Sequence, residues 1–198
     1  MKKTSTAVAR DGDAPSKRAI LESALRLFVR DGMCETTIRA VAADARFTNP
    51  ALFKFFDGRE DLARCVFERC FERLASTVAL AAATPGFEAR VRAIVQVSAQ
   101  FMDAELDAFL FVNEHVRHFW PSAGPKLRRQ SIVAILRELF ALGVKEGKIA
   151  RDHDRALLVH ATIGVLSQFA RALYFGDITG RAVDRAPELE RIILRIAC

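Results

Sequence analysis

Polar and basic side chains follow one another closely between residues 48 and 59. Thr48, Asn49 and Pro50 stand together, and Lys54 and Arg59 come four and nine residues after Pro50. Hydroxyl and amide groups can bond base edges or phosphate oxygens, and cationic groups pair with phosphates. Proline is tolerated in the first turn of a helix because no intrahelical bond uses its nitrogen. This stretch therefore predicts a stiffened helix start whose polar surface suits a nucleic acid.

The remaining residues that could do chemistry form no catalytic pattern. His115 and His118 lie three apart beside Glu114, which is one helix face, but no further ligand cluster accompanies them. We therefore favour surface or hydrogen-bonded histidines over a metal site. No paired Glu-x-x-His, nucleophile elbow, phosphate loop or dinucleotide fingerprint occurs. The sequence predicts a protein that is not an enzyme and needs no metal or cofactor.

The elements that position these residues are helical almost throughout. Apolar residues recur at the three-and-four spacing of amphipathic helices, and no alternating run indicates a strand, so the predicted fold is all-α. Thr36 or Thr37 is expected to cap the second helix, Thr48 the third and Asp152 the eighth. The predicted helices cover approximately residues 17–31, 37–45, 48–56, from 59 to before 85, 87–104, 106–119, 126–146, 152–174 and 187–198, with a loop over 176–185.

The second and third helices are joined by only about four residues, Ala45 to Thr48. Two helices joined so tightly must cross at a steep angle, which is the helix-turn-helix arrangement. In that arrangement the later helix lies in the major groove of DNA. We expect Leu52 and Phe56 to face a small core with Phe28 and Val41, because they lie four residues apart on one helix face.

The composition and net charge are compatible with a DNA-binding helix-turn-helix protein. The 198 residues are 51% hydrophobic and 27% charged, with a net charge of +6, which is a globular composition with a mild preference for polyanions. No uncharged apolar stretch approaches the length of a membrane span, and the N-terminus has no apolar signal region. We therefore expect a cytoplasmic protein that does not enter a membrane.

The predicted organisation has three parts. Residues 1–16 are small, polar and charged, which predicts a disordered arm; it either lies along DNA phosphates or a minor groove, or serves as a solubilising tail. Residues 17–62 form the helix-turn-helix domain. Residues 63–198 form a larger helical domain for ligand binding and dimerisation.

Residues 20–62 resemble the DNA-binding domain of the TetR (tetracycline repressor-like) family. The resemblance covers about 43 of the 198 residues at the family's spacing, and the rest of the chain is similar only in length and helix count. The residues that carry it are Ile20-Leu21, Ala24, Leu27-Phe28, Gly32, Thr36-Thr37-Ile38, Ala42, Ala45, Phe47-Thr48, Leu52-Phe53, Phe55-Phe56 and Arg59-Glu60-Asp61-Leu62.

The resemblance implies which residues meet DNA. Ten positions correspond to the family's contacts with bases or phosphates: Thr37, Arg39, Arg46, Thr48, Asn49, Pro50, Ala51, Phe53, Lys54 and Arg59. Four of them depart from the family's usual residue. Arg46 and Pro50 replace glycines, Phe53 replaces a tyrosine whose hydroxyl bonds phosphate, and Arg59 replaces a lysine.

The resemblance also implies a homodimer that reads a palindromic operator in double-stranded DNA. In the family the last two long helices pair with their mates, which here points to Leu157, Ala161, Gly164 and Gln168. Gly164 in mid-helix costs about 1 kcal/mol against alanine, so a close helix approach explains it. Packing of Gly164 within one subunit is the alternative.

Helices between residues 87 and 146 are expected to enclose a pocket for a small hydrophobic or aromatic effector. Its candidate lining residues are Phe101, Glu105, Phe109, Glu114, His118, Trp120 and Phe140. The sequence as a whole predicts a transcription regulator, a homodimeric repressor that the effector releases from DNA. The alternative is a helical module that binds proteins or small molecules and has lost DNA binding.

Overall fold

A computed structural model describes residues 7–129 and 131–197 of the chain. These residues form α-helices and one 3-10 turn at Trp120–Ser122, and no strand occurs among them. The all-α prediction is confirmed. The helices are α1 Pro15–Asp31, α2 Ile38–Asp44, α3 Asn49–Phe53, α4 Arg59–Ala81, α5 Phe87–Phe119, α6 Pro125–Arg129, α7 Ile132–Lys145, α8 Arg155–Phe175 and α9 Ala182–Ala197.

The chain divides into two compact units, and the division differs from the predicted boundary at residue 62. The first unit runs to Arg73 and also includes Asp107–Ala123, whereas Leu74–Leu106 and Gly124 onwards form the second. Aromatic contacts explain why 107–123 joins the first unit. The ring centroids of Phe28 and Phe111 lie 5.7 Å apart, those of Phe67 and Phe119 5.2 Å, and those of Phe71 and Trp120 5.1 Å.

The core of the first unit contains the residues that the helical periodicity predicted. Phe28, Val41, Leu52 and Phe56 are all buried, in agreement with the expected small core behind the helix-turn-helix. Burial of each large apolar side chain contributes on the order of 1.5–3 kcal/mol, so this cluster fixes α1, α2 and α3 against one another.

The second unit is held by contacts of α7 with α8 and of α8 with α9. Phe87 and Phe140 are fully buried with ring centroids 6.3 Å apart. Gly143 permits a close approach there, because a Cβ at that position would lie 2.6 Å from the Ile149 side chain. By length and composition α8 could cross a membrane, with a mean hydropathy of 1.4, but interior helices of soluble proteins pass the same test.

Helix α5 is interrupted in the middle. Glu105 has non-helical dihedral angles (φ −141°, ψ 48°). The kink confirms the predicted separation of helices at 87–104 and 106–119. The boundary between the two units falls one residue later, after Leu106.

Several predicted helix ends are wrong, and local hydrogen bonds explain them. The α8 cap is Asp154, not Asp152, since Asp154 Oδ1 accepts from the amides of Ala156 (2.8 Å) and Leu157 (3.2 Å). Helix α9 begins at Ala182 instead of near Pro187, because the Asp103 carboxylate accepts from the Ala182 amide at 2.6 Å.

The single helix predicted over 126–146 is two helices, α6 and α7. Ser131 caps α7, since its hydroxyl accepts from the Ala134 amide at 3.3 Å. Gln130, inside the predicted helix, lies outside the described residues.

The predicted disordered arm also differs from the structure. Residues 1–6 lie outside the described part, but Ala7 and Val8 are buried, and α1 begins at Pro15. Apolar burial and an ion pair with α4 order this segment.

Candidate nucleic-acid interface

Two threonines fix the start of α2. The buried Thr36 hydroxyl donates to the carbonyl oxygens of Gly32 (2.8 Å) and Leu27 (3.2 Å), which anchors the segment to the end of α1. Thr37 is the N-cap, because its hydroxyl accepts from the Ala40 amide at 3.1 Å. The prediction that Thr36 or Thr37 caps this helix is confirmed for Thr37. Arg39 in the first turn is exposed.

The turn between α2 and α3 closes with two backbone hydrogen bonds. The Phe47 amide donates to the Ala42 carbonyl (2.8 Å) and the Arg46 amide to the Ala43 carbonyl (3.1 Å), which is a Schellman motif. Arg46 occupies the left-handed position with φ 62°, and it is the only such non-glycine residue in the described chain. Glycine adopts this conformation without strain, so arginine here costs backbone energy.

Helix α3 presents its polar start and buries its apolar side. Thr48 is the N-cap residue, but its hydroxyl makes no capping bond, and Pro50 lies in the first turn. Leu52 is fully buried, whereas Phe53 is 54% exposed. The helix ends at Phe53 and not at the predicted Phe56, although the Phe56 amide still bonds the Leu52 carbonyl at 3.2 Å.

The start of α4 is tied to two neighbouring segments. Arg59 Nη1 donates to the Cys34 carbonyl at 2.5 Å, which links α4 to the α1–α2 loop. Glu60 lies 2.7 Å from Nε2 of His118, near the end of α5. Asp61 accepts from the Asp57 amide at 3.2 Å and so closes the turn before the helix. These bonds hold the loop and helix starts that flank α3.

None of the ten predicted DNA-contact residues is buried. Asn49 and Ala51 are half-buried, and the other eight are exposed. Four of the ten are cations and none is an acid, namely Arg39, Arg46, Lys54 and Arg59. A surface that combines cations, a hydroxyl and an amide can hold phosphates and contact base edges.

The seven predicted ligand residues are divided between the two units. Phe101, Glu105 and Phe140 are buried in the second unit, and Phe109 is buried in the first. Trp120 is half-buried against Phe71.

Glu114 and His118, the two remaining candidates, are exposed, and His118 contacts Glu60. His115 is half-buried, and burial lowers its pKa. Within the described residues no group of three or more His, Cys, Asp or Glu side chains could hold a metal ion. A pocket formed by the seven candidates stays a prediction.

The four predicted dimer residues lie on one side of α8. Leu157 is 66% exposed, Gly164 and Gln168 are exposed and Ala161 is half-buried. Beyond its chain neighbours and its own helix backbone, a Cβ at Gly164 would meet no atom of the described residues within 4 Å, so no close contact within the subunit requires glycine there.

Further exposed apolar positions on α8 and α9 were not predicted. Phe175 is 73% exposed at the end of α8, and Ile192 and Ile196 on α9 are 42% and 38% exposed. The three-and-four spacing that continues from Leu157 along α8 would have found Phe175.

The first unit contains two short helices, α2 and α3, joined by a tight turn, which is the helix-turn-helix arrangement that many DNA-binding proteins use. The family model for bacterial regulatory proteins of the tetR family matches residues 20–66. No curated protein sequence matches the chain significantly.

Solved structures extend the likeness over nearly the whole chain. A regulatory protein of the tetR family from Rhodococcus RHA1 has a TM-score of 0.78 at 15% identity, covering 93% of this chain and 98% of that one. The ketosteroid transcriptional regulator KstR2 of Mycobacterium tuberculosis has a TM-score of 0.76 at 16% identity, covering 93% and 96%. The transcriptional regulator FadR from Bacillus subtilis, in complex with stearoyl-CoA, has a TM-score of 0.69 at 11% identity, covering 89% and 96%.

Residues 20–66 therefore match the model of the tetR family, and the chain as a whole has the fold of solved tetR-family regulators.

Proposed function

We propose that this protein is a sequence-specific DNA-binding transcription regulator that acts in the cytoplasm as a homodimeric repressor. One observation carries the proposal: the four cations among the candidate contact residues are all exposed on the helix-turn-helix or at the start of α4, and Thr48 and Asn49 stand at the start of α3. Asn49 would read a base edge in the major groove, and Lys54 would hold a phosphate.

The exposed surface of α8 supports dimerisation. Leu157, Ala161, Gly164 and Gln168 follow the alternating three-and-four spacing of a helix that packs against a mate, and Phe175 lies two turns after Gln168 on the same side. Two recognition helices held about 34–36 Å apart would then read a palindromic operator. Gly164 would let the two α8 helices approach closely.

We propose a small hydrophobic effector in the second unit. Its buried aromatic residues, Phe101 and Phe140, suit an apolar ligand, and the buried Glu105 adds a polar group. Regulators with this fold include one whose structure holds stearoyl-CoA. The effector would release the repressor only if it binds the DNA-free conformation more tightly than the DNA-bound one.

A helical adaptor that has lost DNA binding is the competing function. Phe53 supports it, because phenylalanine lacks the hydroxyl that a tyrosine would offer to phosphate. The exposed Lys54 and Arg39 favour DNA binding instead. We expect no enzymatic activity.

Selection of bound DNA from a random pool tests the proposal. The wild type should enrich a palindrome, and its affinity should fall steeply with salt because phosphate contacts release counterions. Lys54→Ala should weaken binding evenly across sequences, whereas Asn49→Ala should change the preferred base at one position of each half-site. Lys145→Ala, an exposed charge change on α7, is the matched control and should bind as the wild type does.

Two results would contradict the regulator proposal. One is the absence of any enriched site for the folded wild type. The other is binding that is indifferent to salt and to both substitutions, which would leave the adaptor reading.

A further inference from the structure

The segment before α1 is packed against the first unit. Val8 is fully buried and Ala7 is 3% exposed. Arg10 and Asp13 close a turn, since the Arg10 amide donates to Asp13 Oδ2 (2.8 Å) and the Asp13 amide to the Arg10 carbonyl (3.2 Å). Residues 7–13, called the N-terminal strap below, therefore have a defined fold.

A buried arginine of α4 holds the strap. Arg69 Nη1 donates to the Val8 carbonyl (2.7 Å) and to Asp13 Oδ2 (2.5 Å), and Nη2 donates to Asp13 Oδ1 (3.0 Å). The side chains of Arg69 and Asp13 are only 6% and 9% exposed. Arg69 also lowers the pKa of the Asp13 carboxyl to about 2, so the pair is ionised at neutral pH.

A second ion pair joins the strap to the next turn of the same helix. Arg10 pairs with Glu72, which lies three residues after Arg69 and therefore on the same face of α4. Both contacts lie well away from the predicted DNA surface along the helix. Arg69 is ten residues after Arg59, which corresponds to about 15 Å of helix.

These contacts change the expected role of the segment. Arg10 is engaged by Glu72, so the described part of the arm does not offer this cation to DNA phosphates. The strap instead joins α1, which begins two residues after Asp13, to the middle of α4. Helix α4 continues as one helix from the first unit into the second.

We propose that the N-terminal strap is a clamp that fixes α4 against the DNA-binding helices, and that Arg69 is a positioning residue for operator recognition. This inference rests on the proposed function. In a dimer, the clamp would hold the two DNA-binding domains so that they bind tightly only to operators with one half-site spacing. Loss of the clamp would leave contact with a single half-site intact and would loosen that requirement.

The dependence of operator affinity on half-site spacing shows whether the strap positions the DNA-binding domains or only stabilises the fold. Dissociation constants would be measured for the selected palindrome, for versions with one base pair inserted or removed, and for an isolated half-site. Asp13→Asn removes the charge that holds Arg69. Arg10→Ala removes the outer ion pair without touching a buried group, which keeps the test valid if Asp13→Asn is poorly folded. Lys145→Ala, far from the strap in the sequence, is the control.

A changed half-site spacing should weaken binding by Asp13→Asn at least about threefold less than it weakens binding by the wild type, a change within the range of coupling energies between contacting residues. Arg10→Ala should show a smaller effect in the same direction, and half-site affinity should stay within about twofold, because the contact residues are unchanged.

Three other outcomes would overturn the proposal. If the affinity of both variants depended on half-site spacing as the wild-type affinity does, the strap would not position the DNA-binding domains. If the affinities for the half-site and for the palindrome fell by the same factor, and the dependence of affinity on half-site spacing did not change, the strap would only stabilise the fold. If the wild type bound no specific site, the proposed function itself would fail, and that failure is visible before any variant is compared.

Discussion

Arg46 shows how one residue can combine strain with a contact. Its φ of 62° is the conformation that glycine adopts without penalty, and it occupies the turn that sets the angle between α2 and α3. A non-glycine residue there costs roughly 1–2 kcal/mol. The exposed Arg46 guanidinium would offset this strain energy through a phosphate contact, which forms only when DNA is bound.

Arg46→Gly should therefore separate stability from binding. We expect the free energy of unfolding to rise by about 1 kcal/mol, because the left-handed strain is removed. We also expect operator affinity to fall, because a phosphate contact is lost. Chemical denaturation and a binding titration measure the two effects. Arg46→Ala is the matched control, since it loses the charge and keeps the strain; equal stability of the two variants would contradict the strain argument.

At the scale of elements, the sequence predicts helix interiors well and helix ends less well. The burial of Leu52 and Phe56 follows from their spacing, and the cap at Thr37 follows from local residue type. The start of α9 depends instead on Asp103, which is distant in sequence and accepts from the Ala182 amide. A pattern read along the chain contains no signal for such a partner.

The two aspartates before α8 allow a matched test of helix capping. Asp154 accepts two amide hydrogen bonds, whereas the Asp152 side chain is 94% exposed and makes no bond to the helix start. Asp154→Ala should reduce the free energy of unfolding by about 1 kcal/mol, as loss of an N-cap usually does. Asp152→Ala should change it by less than about 0.5 kcal/mol, as is usual at the surface. Thermal or urea unfolding measures both, and an equal loss in the two variants would restore Asp152 as the cap.

At the scale of the whole molecule, α8 exposes large apolar side chains that a folded chain usually buries. Leu157 and Phe175 are 66% and 73% exposed at opposite ends of a helix whose other face is buried. Sequence spacing predicted part of this stripe. It could not decide which apolar face stays open, because that depends on how α7 and α9 cover the helix. Gly164 lies near the centre of this stripe, so a substitution there tests whether a second copy of the chain packs against it.

Gly164→Leu should disrupt the proposed dimer without harming the single chain. Beyond its own helix backbone and its chain neighbours, no atom of the described residues lies within 4 Å of a Cβ at this position, and leucine favours a helix over glycine by up to about 1 kcal/mol. Overpacking against a partner helix costs about 1–3 kcal/mol, so the dimer dissociation constant should rise roughly tenfold or more. Sedimentation equilibrium measures it, with Ala134→Leu at an exposed site on α7 as the control. A dimer that tolerates Gly164→Leu as well as Ala134→Leu would show that its interface lies elsewhere, and the α8 stripe would need another occupant.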